Sequence, residues 1–232
     1  MMKKKFIGES LIFNTKLLLD KKKLKIIKIL DDNIWNLDDP KIPKKYRKDK
    51  DLVYEVMAHK GDNWVHIDSK FMKDKKMFFH MLKIGRAGNL YCLSYAHKSL
   101  KNDRSFILKI LKNCSFAASC ASDSLKKNKS FILKAIKLQS ESIKYADDIL
   151  LNDRSFILKV VSTNGRTFTH ISKILQRNDT GNKEPYKKYY KARISEINDY
   201  RKDEEIVIAA TSNYPPAINY ANLNLKNKLK NN

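Results

Sequence analysis

The chain is 232 residues long and 42% hydrophobic, with 48 Lys plus Arg against 25 Asp plus Glu and a formal charge of +23. That length and apolar content can build a sizeable core, in one large domain or two small ones. Three cysteines without a C-x-x-C pair suggest neither a disulfide framework nor a zinc site, and no apolar run is long enough to span a membrane.

The positive excess implies an acidic partner: nucleic acid, an anionic membrane surface or an acidic protein. Only eight of the 48 cations are Arg, however, whereas forked recognition of phosphates and bases favours Arg over Lys. The abundance of Lys, Ile and Asn also fits the codon bias of an AT-rich genome, which accounts for part of the charge without any ligand. The opening Met-Met-Lys-Lys-Lys and the apolar residues up to Phe13 imitate a signal peptide, but Glu9, Asn14 and Lys16 break the pattern and no small-residue cleavage site comes after it. The expectation is a soluble protein of a reducing, cytoplasmic or otherwise intracellular setting, with an organellar address compatible.

In chain order, Phe6, Ile7, Leu11, Ile12, Leu17 and Leu18 predict a helix over residues 1–19 that shields the first face of a repeat array from water. Leu24, Ile26, Ile27, Ile29 and Leu30 predict a second helix. Trp35, Leu37, Pro40 and Pro43 then replace its partner with a stiff connection. Residues 1–45 thus read as a cap and a degenerate repeat.

A regular pattern occupies residues 46–175. Leu100-Lys-Asn-Asp-Arg-Ser-Phe-Ile-Leu-Lys109 returns from Leu125 and again from Leu150, each time after 25 residues. Asp49, Asp74, Asp103, Asn128, Asp153 and Asp203 each stand just before an apolar triplet, where a short polar side chain caps the free amides of a first helical turn. Phe106, Ile107, Ile110, Leu111 and Cys114 form one stripe at helical pitch, and Phe116, Ala117, Cys120, Ala121 and Leu125 predict a shorter second helix. Ala96, Ala121, Ala146 and Ala221 each precede a Leu by four residues and allow close packing. Gly61, Gly85, Gly88 and Gly165 fall where first helices should end, as left-handed exits. Residues 176–200 read as an insertion, a loop followed by a helix from Tyr186, and residues 201–232 as a last repeat and tail. Such fixed periodicity predicts an all-α array of helical hairpins, an α-solenoid of about 25 residues per unit, in which each unit buries its apolar face against the next.

These residues resemble the family described as domain of unknown function 4116, whose repeats read approximately Asn-Asp-Arg-Glu-Phe-Val-Leu-x-Ala-Val-Lys, then a Gly-containing turn, a Tyr-Ala and a Leu. The likeness covers Tyr46 to Leu225 and is strongest over Lys101–Leu175 and Lys202–Leu225. Ser105, Ser130 and Ser155 depart from it, standing where the family tends to have Glu. The resemblance implies a short helical array, no activity and no catalytic residues.

Two constellations stand out as binding surfaces. Lys109, Lys134 and Lys159 occupy one place in successive units, with Arg104, Lys129 and Arg154 one turn earlier, so a stacked array makes them a basic ladder. The simpler alternative is a solvated face, because a spacing of about 10 Å is one screening length at cellular salt. Tyr186, Lys187, Lys188, Tyr189 and Tyr190 in the insertion suit stacking on bases or covering a partner's apolar surface, or else they pack back onto the array. The five His form no metalloprotease pattern, and there is no P-loop, G-x-G-x-x-G, G-x-S-x-G or kinase set. The expectation is therefore a non-catalytic scaffold, with no cofactor and no metal, that binds another macromolecule. A protein is the first partner class, and nucleic acid the alternative, as for a peripheral ribonucleoprotein subunit.

Overall fold

A computed structural model describes residues 21–32, 37–59, 61–83, 93–179 and 198–231. Every element among them is helical and none is a strand. Contacts divide the chain into two units, Met1–Leu100 and Lys101–Asn232. The expected helix over residues 1–19, Trp35, Gly85, Gly88 and the Tyr/Lys patch of the insertion lie outside the described residues.

In the first unit, α1 (Lys21–Asp32), α2 (Lys50–His59) and α3 (Lys75–Lys83) pack in sequence order, α1 on α2 and α2 on α3. Ile26, Ile27 and Leu30 of α1 meet Leu37, Ile42, Leu52 and Val56 in one buried cluster. Between α1 and α2 the chain makes a turn and a 3-10 segment, Lys44–Lys48, entered through Pro43, as the prolines predicted. A four-residue helix, α4 (Lys98–Lys101), closes the unit.

In the second unit four long helices carry the core: α5 (Arg104–Leu111), α7 (Lys129–Leu138), α9 (Arg154–Thr163) and α11 (Glu204–Asn213). Each buries the residues three, four and seven places after its cap, among them Phe106, Phe131, Phe156 and Ile206. Burying a side chain of this size stabilises by about 1.5–3 kcal/mol, so each stripe outweighs the weak intrinsic stability of a helix of this length. The stripes pack α5 on α7, α7 on α9 and α9 on α11, the last pair meeting across 40 intervening residues. A second layer keeps the same order, the 3-10 segment Ser115–Ala118 touching Ser140–Tyr145, which touches α10 (Thr167–Asp179), which touches Pro215–Tyr220.

All six predicted cap residues cap. Asp49 Oδ1 accepts from Leu52 N at 3.2 Å and Asp74 Oδ1 from Lys76 N at 2.9 Å. Asp103, Asn128, Asp153 and Asp203 accept from Phe106, Phe131, Phe156 and Ile206 at 2.9, 2.9, 3.0 and 3.2 Å. Each satisfies an amide that the first turn leaves without a partner.

The expected second helix is broken in two of the copies. After each 3-10 segment the chain turns through Ser122 or Asp147, which cap the four-residue helices α6 (Asp123–Lys126) and α8 (Asp148–Leu151). The turn is held by a backbone bond to a carbonyl two residues before a long-helix cap. Asp68 N bonds Arg47 O, and His97 N bonds Met72 O. Ser122 N bonds Lys101 O, Asp147 N bonds Lys126 O, and Asn222 N bonds Arg201 O ahead of α12 (Leu223–Lys230). Side-chain spacing does not reveal such backbone pins, so the apolar pattern read as one continuous helix. Ala96, Ala121 and Ala146 are buried immediately before these turns, where larger side chains would hold the segments apart. Only α10 runs unbroken.

Helix ends also differ from the glycine reading. Cys114, expected on the first-helix stripe, lies beyond α5 in extended conformation. Helices α7 and α9 end at extended residues, Gln139 and Asn164, and α11 ends at Tyr214; the three amides bond Ala135 O, Val160 O and Ala210 O. Gly165 is required for another reason: a Cβ there would collide with Ala210 O, because α11 closes onto it. Asn213 fastens the same junction, its Nδ2 donating to Val161 O at 3.0 Å and its Oδ1 accepting from Gly165 N.

Asn128→Ala should lower unfolding free energy by about 1 kcal/mol through loss of a cap alone. Gly165→Ala should cost about 1–3 kcal/mol, because backbone oxygen cannot yield to the new methyl group. Urea titration measures both, and an unaltered midpoint for Gly165→Ala would mean that α11 does not approach as closely as described.

Candidate binding face on the long helices

The caps place the same positions of α5, α7, α9 and α11 on the outer face. Counting from each cap, position five is apolar: Leu108, Leu133, Leu158 and Ile208. The three leucines are half-buried and Ile208 is 45% exposed. Position six is Lys109, Lys134 and Lys159, then Ala209 on α11, and all three lysines are exposed. Position nine adds exposed Lys112 and Lys137. Leu158, Ser162, Ile208 and Ala209, with Glu204 and Glu205 at the rim, line an open groove of about 580 Å³ between α9 and α11.

The earlier turn of the predicted ladder contacts the neighbouring helices. Arg154 donates through Nε to Asp203 Oδ2 at 2.7 Å and through a terminal nitrogen to Asp203 Oδ1 at 2.9 Å and Glu205 Oε2 at 2.6 Å. Lys129 forms an ion pair with Asp153 and lies over the Phe156 ring at 6.0 Å. Arg104 bonds Ser130 Oγ at 2.8 Å, the neutral Asn128 standing where the other copies have Asp. Each of these cations opens one helix and reaches the first turn of the next. In the first unit Lys23 likewise reaches the next helix, bonded to Asp49 at 2.9 Å and Asp51 at 3.1 Å, and a hydroxyl replaces the cation at the following cap, Tyr54 donating to Asp74 at 2.5 Å.

Titration obeys the same contacts. The Arg154 guanidinium holds the Asp203 carboxyl below the ordinary range, and the Lys129 ammonium does so more strongly for Asp153. Burial opposes the charge on Lys23, but its bonds to Asp49 and Asp51 prevail and raise its pKa. Burial, and then the bond to Asp74, push the Tyr54 phenol up.

One polar cluster went unnoticed in the sequence. Ser140 Oγ lies 3.2 Å from His170 Nε2, beside Glu141, whose carboxylate bonds Lys144 at 3.2 Å and Ser115. Among the described residues the buried Nδ1 of His170 has no partner, and none of their carboxylates orients the imidazole as a nucleophile relay requires. A second polar pair lies in the first unit, where Glu55, 4% exposed, stands 3.2 Å from His80 Nε2. Neither was visible because the paired residues are 30 and 25 positions apart. Among the described residues no three His, Cys, Asp or Glu side chains could share a metal ion, and no helix is long and apolar enough to cross a membrane. Burial raises the thiols of Cys114 and Cys120 above their ordinary values.

The described residues therefore define an all-helical protein with capped long helices side by side and an outer face of leucine and lysine. Residues 87–126 and 128–176 match the family model described as Domain of unknown function (DUF4116), and this central segment, which holds all three copies of the decamer, is similar to that family. No curated protein and no solved structure matches the chain.

Burial, followed by the neighbouring Lys144 charge, pushes His170 down from 6.5 to about 4, so it is neutral in the folded protein at pH 7. Its contribution to stability is complete above pH 6.5 and is lost as pH falls towards 4, because the unfolded chain binds the proton first. His170→Gln should flatten the loss of stability between pH 6.5 and about 4, measured by urea titration at each pH. An unchanged slope would mean that His170 is not shielded from water.

Proposed function

We propose that the protein is a non-catalytic scaffold, built as an α-solenoid of helical hairpins with a period of about 25 residues, that binds another macromolecule along its long-helix face. Its arrangement is a cap and degenerate repeat over 1–45, repeats over 46–175, an insertion over 176–200, and a last repeat with a tail over 201–232. Recurrent caps and the backbone pins at equal places support the repeat reading. The observation that carries the functional reading is that Lys109, Lys134 and Lys159 recur exposed at one place on consecutive helices, each beside a half-buried leucine. Arg104, Lys129 and Arg154, one turn earlier, each bond the next helix.

A protein partner suits this face best, since the exposed lysines flank an apolar ridge and Arg104 and Arg154, the better phosphate forks, bond the next helix. The insertion residues Tyr186, Lys187, Lys188, Tyr189 and Tyr190 are a second proposed contact. An RNA- or DNA-associated role in an intracellular particle is the other reading, favoured by the charge of +23.

Lys109→Glu, Lys134→Glu and Lys159→Glu together should abolish recovery of the partner in a pull-down read by mass spectrometry, with the helical circular dichroism retained. Recovery that survives both this variant and deletion of the insertion would sink the scaffold reading. A nucleic-acid partner would instead vanish on nuclease treatment, and its affinity would fall with salt at a log-log slope of roughly −4 to −5 for about five phosphates.

A further inference from the structure

We infer that the partner presents an acidic amphipathic helix, laid across α5, α7, α9 and α11, with an apolar and an acidic side chain recurring every seven residues. The inference rests on the scaffold reading and specifies its partner. Three observations on the same face carry it.

The first is register. Packed helices stand about 8–10 Å apart, and seven residues of α-helix advance about 10.5 Å, so a helix crossing the row returns an equivalent side chain to each successive ridge. The second is the pairing of chemistries. Each of the first three ridges offers a half-buried leucine next to an exposed lysine: Leu108 with Lys109, Leu133 with Lys134, and Leu158 with Lys159. An occupant that matched only the lysines would leave the leucine line uncovered, and a phosphate backbone has nothing apolar to cover it. The third is where the charge ends. On α11 the lysine position is Ala209, and the nearby carboxylates are already engaged, Glu205 by Arg154 at 2.6 Å and Glu204 by Lys228 at 2.7 Å. The groove there, with Leu158, Ile208 and Ala209 along it, takes an apolar side chain without a counter-charge. The occupant is therefore acidic over α5, α7 and α9 and apolar at α11.

The probe is a fluorescein-labelled helical peptide of four heptads, each with one Leu and, in the first three, one Glu beside it. Fluorescence anisotropy reads its binding to the full chain. A control peptide carries Lys in place of each Glu, and a second control is a labelled uridine 15-mer. The Glu peptide should bind at least ten-fold more tightly than the Lys peptide. The triple Lys109→Glu, Lys134→Glu, Lys159→Glu variant should weaken it at least ten-fold, and Ile208→Ser about three-fold. Ile208 is already exposed, so this change leaves the core in place.

Equal binding of the two peptides, or an Ile208→Ser variant with unchanged affinity, overturns the amphipathic partner. Binding of the uridine 15-mer that the lysine variant removes and Ile208→Ser leaves intact also overturns it, while keeping the lysine face as a binding surface. Failure of the broader scaffold reading has another signature: cellular partners recovered unchanged by both the lysine variant and the deletion of the insertion.

Discussion

Each long helix begins at a side chain whose oxygen satisfies an amide of its own first turn. At Asp49, Asp153 and Asp203 the same carboxylate also receives a cation from the helix before. Asp153 accepts from Phe156 N while paired with Lys129, and Asp203 accepts from Ile206 N while holding Arg154. Exposed ion pairs contribute little alone, and a cap contributes about 1 kcal/mol. Joined at one carboxylate, they set where a helix starts and which neighbour it meets. At Asn128 the charge is missing, so Arg104 turns to Ser130 instead.

Backbone pins complete that control. A carbonyl two residues ahead of each of five caps accepts an amide from the turn that ends the same copy. The chain therefore returns to its own start before the next long helix begins. The long helices face outward with their polar side because the second layer and the neighbouring helices take the apolar one. The outer face is then whatever stands at positions five, six and nine, and leucine beside lysine is the result on three helices. Where the copies are interrupted, α9 and α11 still meet, through Gly165 and Asn213 in place of sequence proximity.

The functional proposals depend on Lys109, Lys134 and Lys159 recurring exposed beside a leucine on three helices. A count of positive charge does not reveal that pattern. Arg104, Lys129 and Arg154 looked like members of a phosphate-binding ladder because their sequence positions repeat, but a carboxylate or hydroxyl of the neighbouring helix lies within reach of each. The lysines one turn later, Lys109, Lys134 and Lys159, stand exposed beside half-buried leucines, and the proposed protein contact is built on that pairing.

The amino-acid order alone determined where long helices begin and which of their sides is buried. Both are local properties: Asp or Asn caps within three residues, and a stripe such as Phe106, Ile107, Ile110 and Leu111 has helical period on its face. It also determined that Lys109, Lys134 and Lys159 share one place in each copy. Tertiary structure decided the rest, because the deciding contacts join residues roughly 20 to 50 positions apart, beyond the reach of any local pattern. The turn at Ser122 depends on Lys101 O, the need for Gly165 on Ala210 O, and the neutralisation of Arg154 on Asp203. The broken second helices, the tight junction at α11 and the contacts of Arg104, Lys129 and Arg154 therefore emerged only when the long helices were brought side by side.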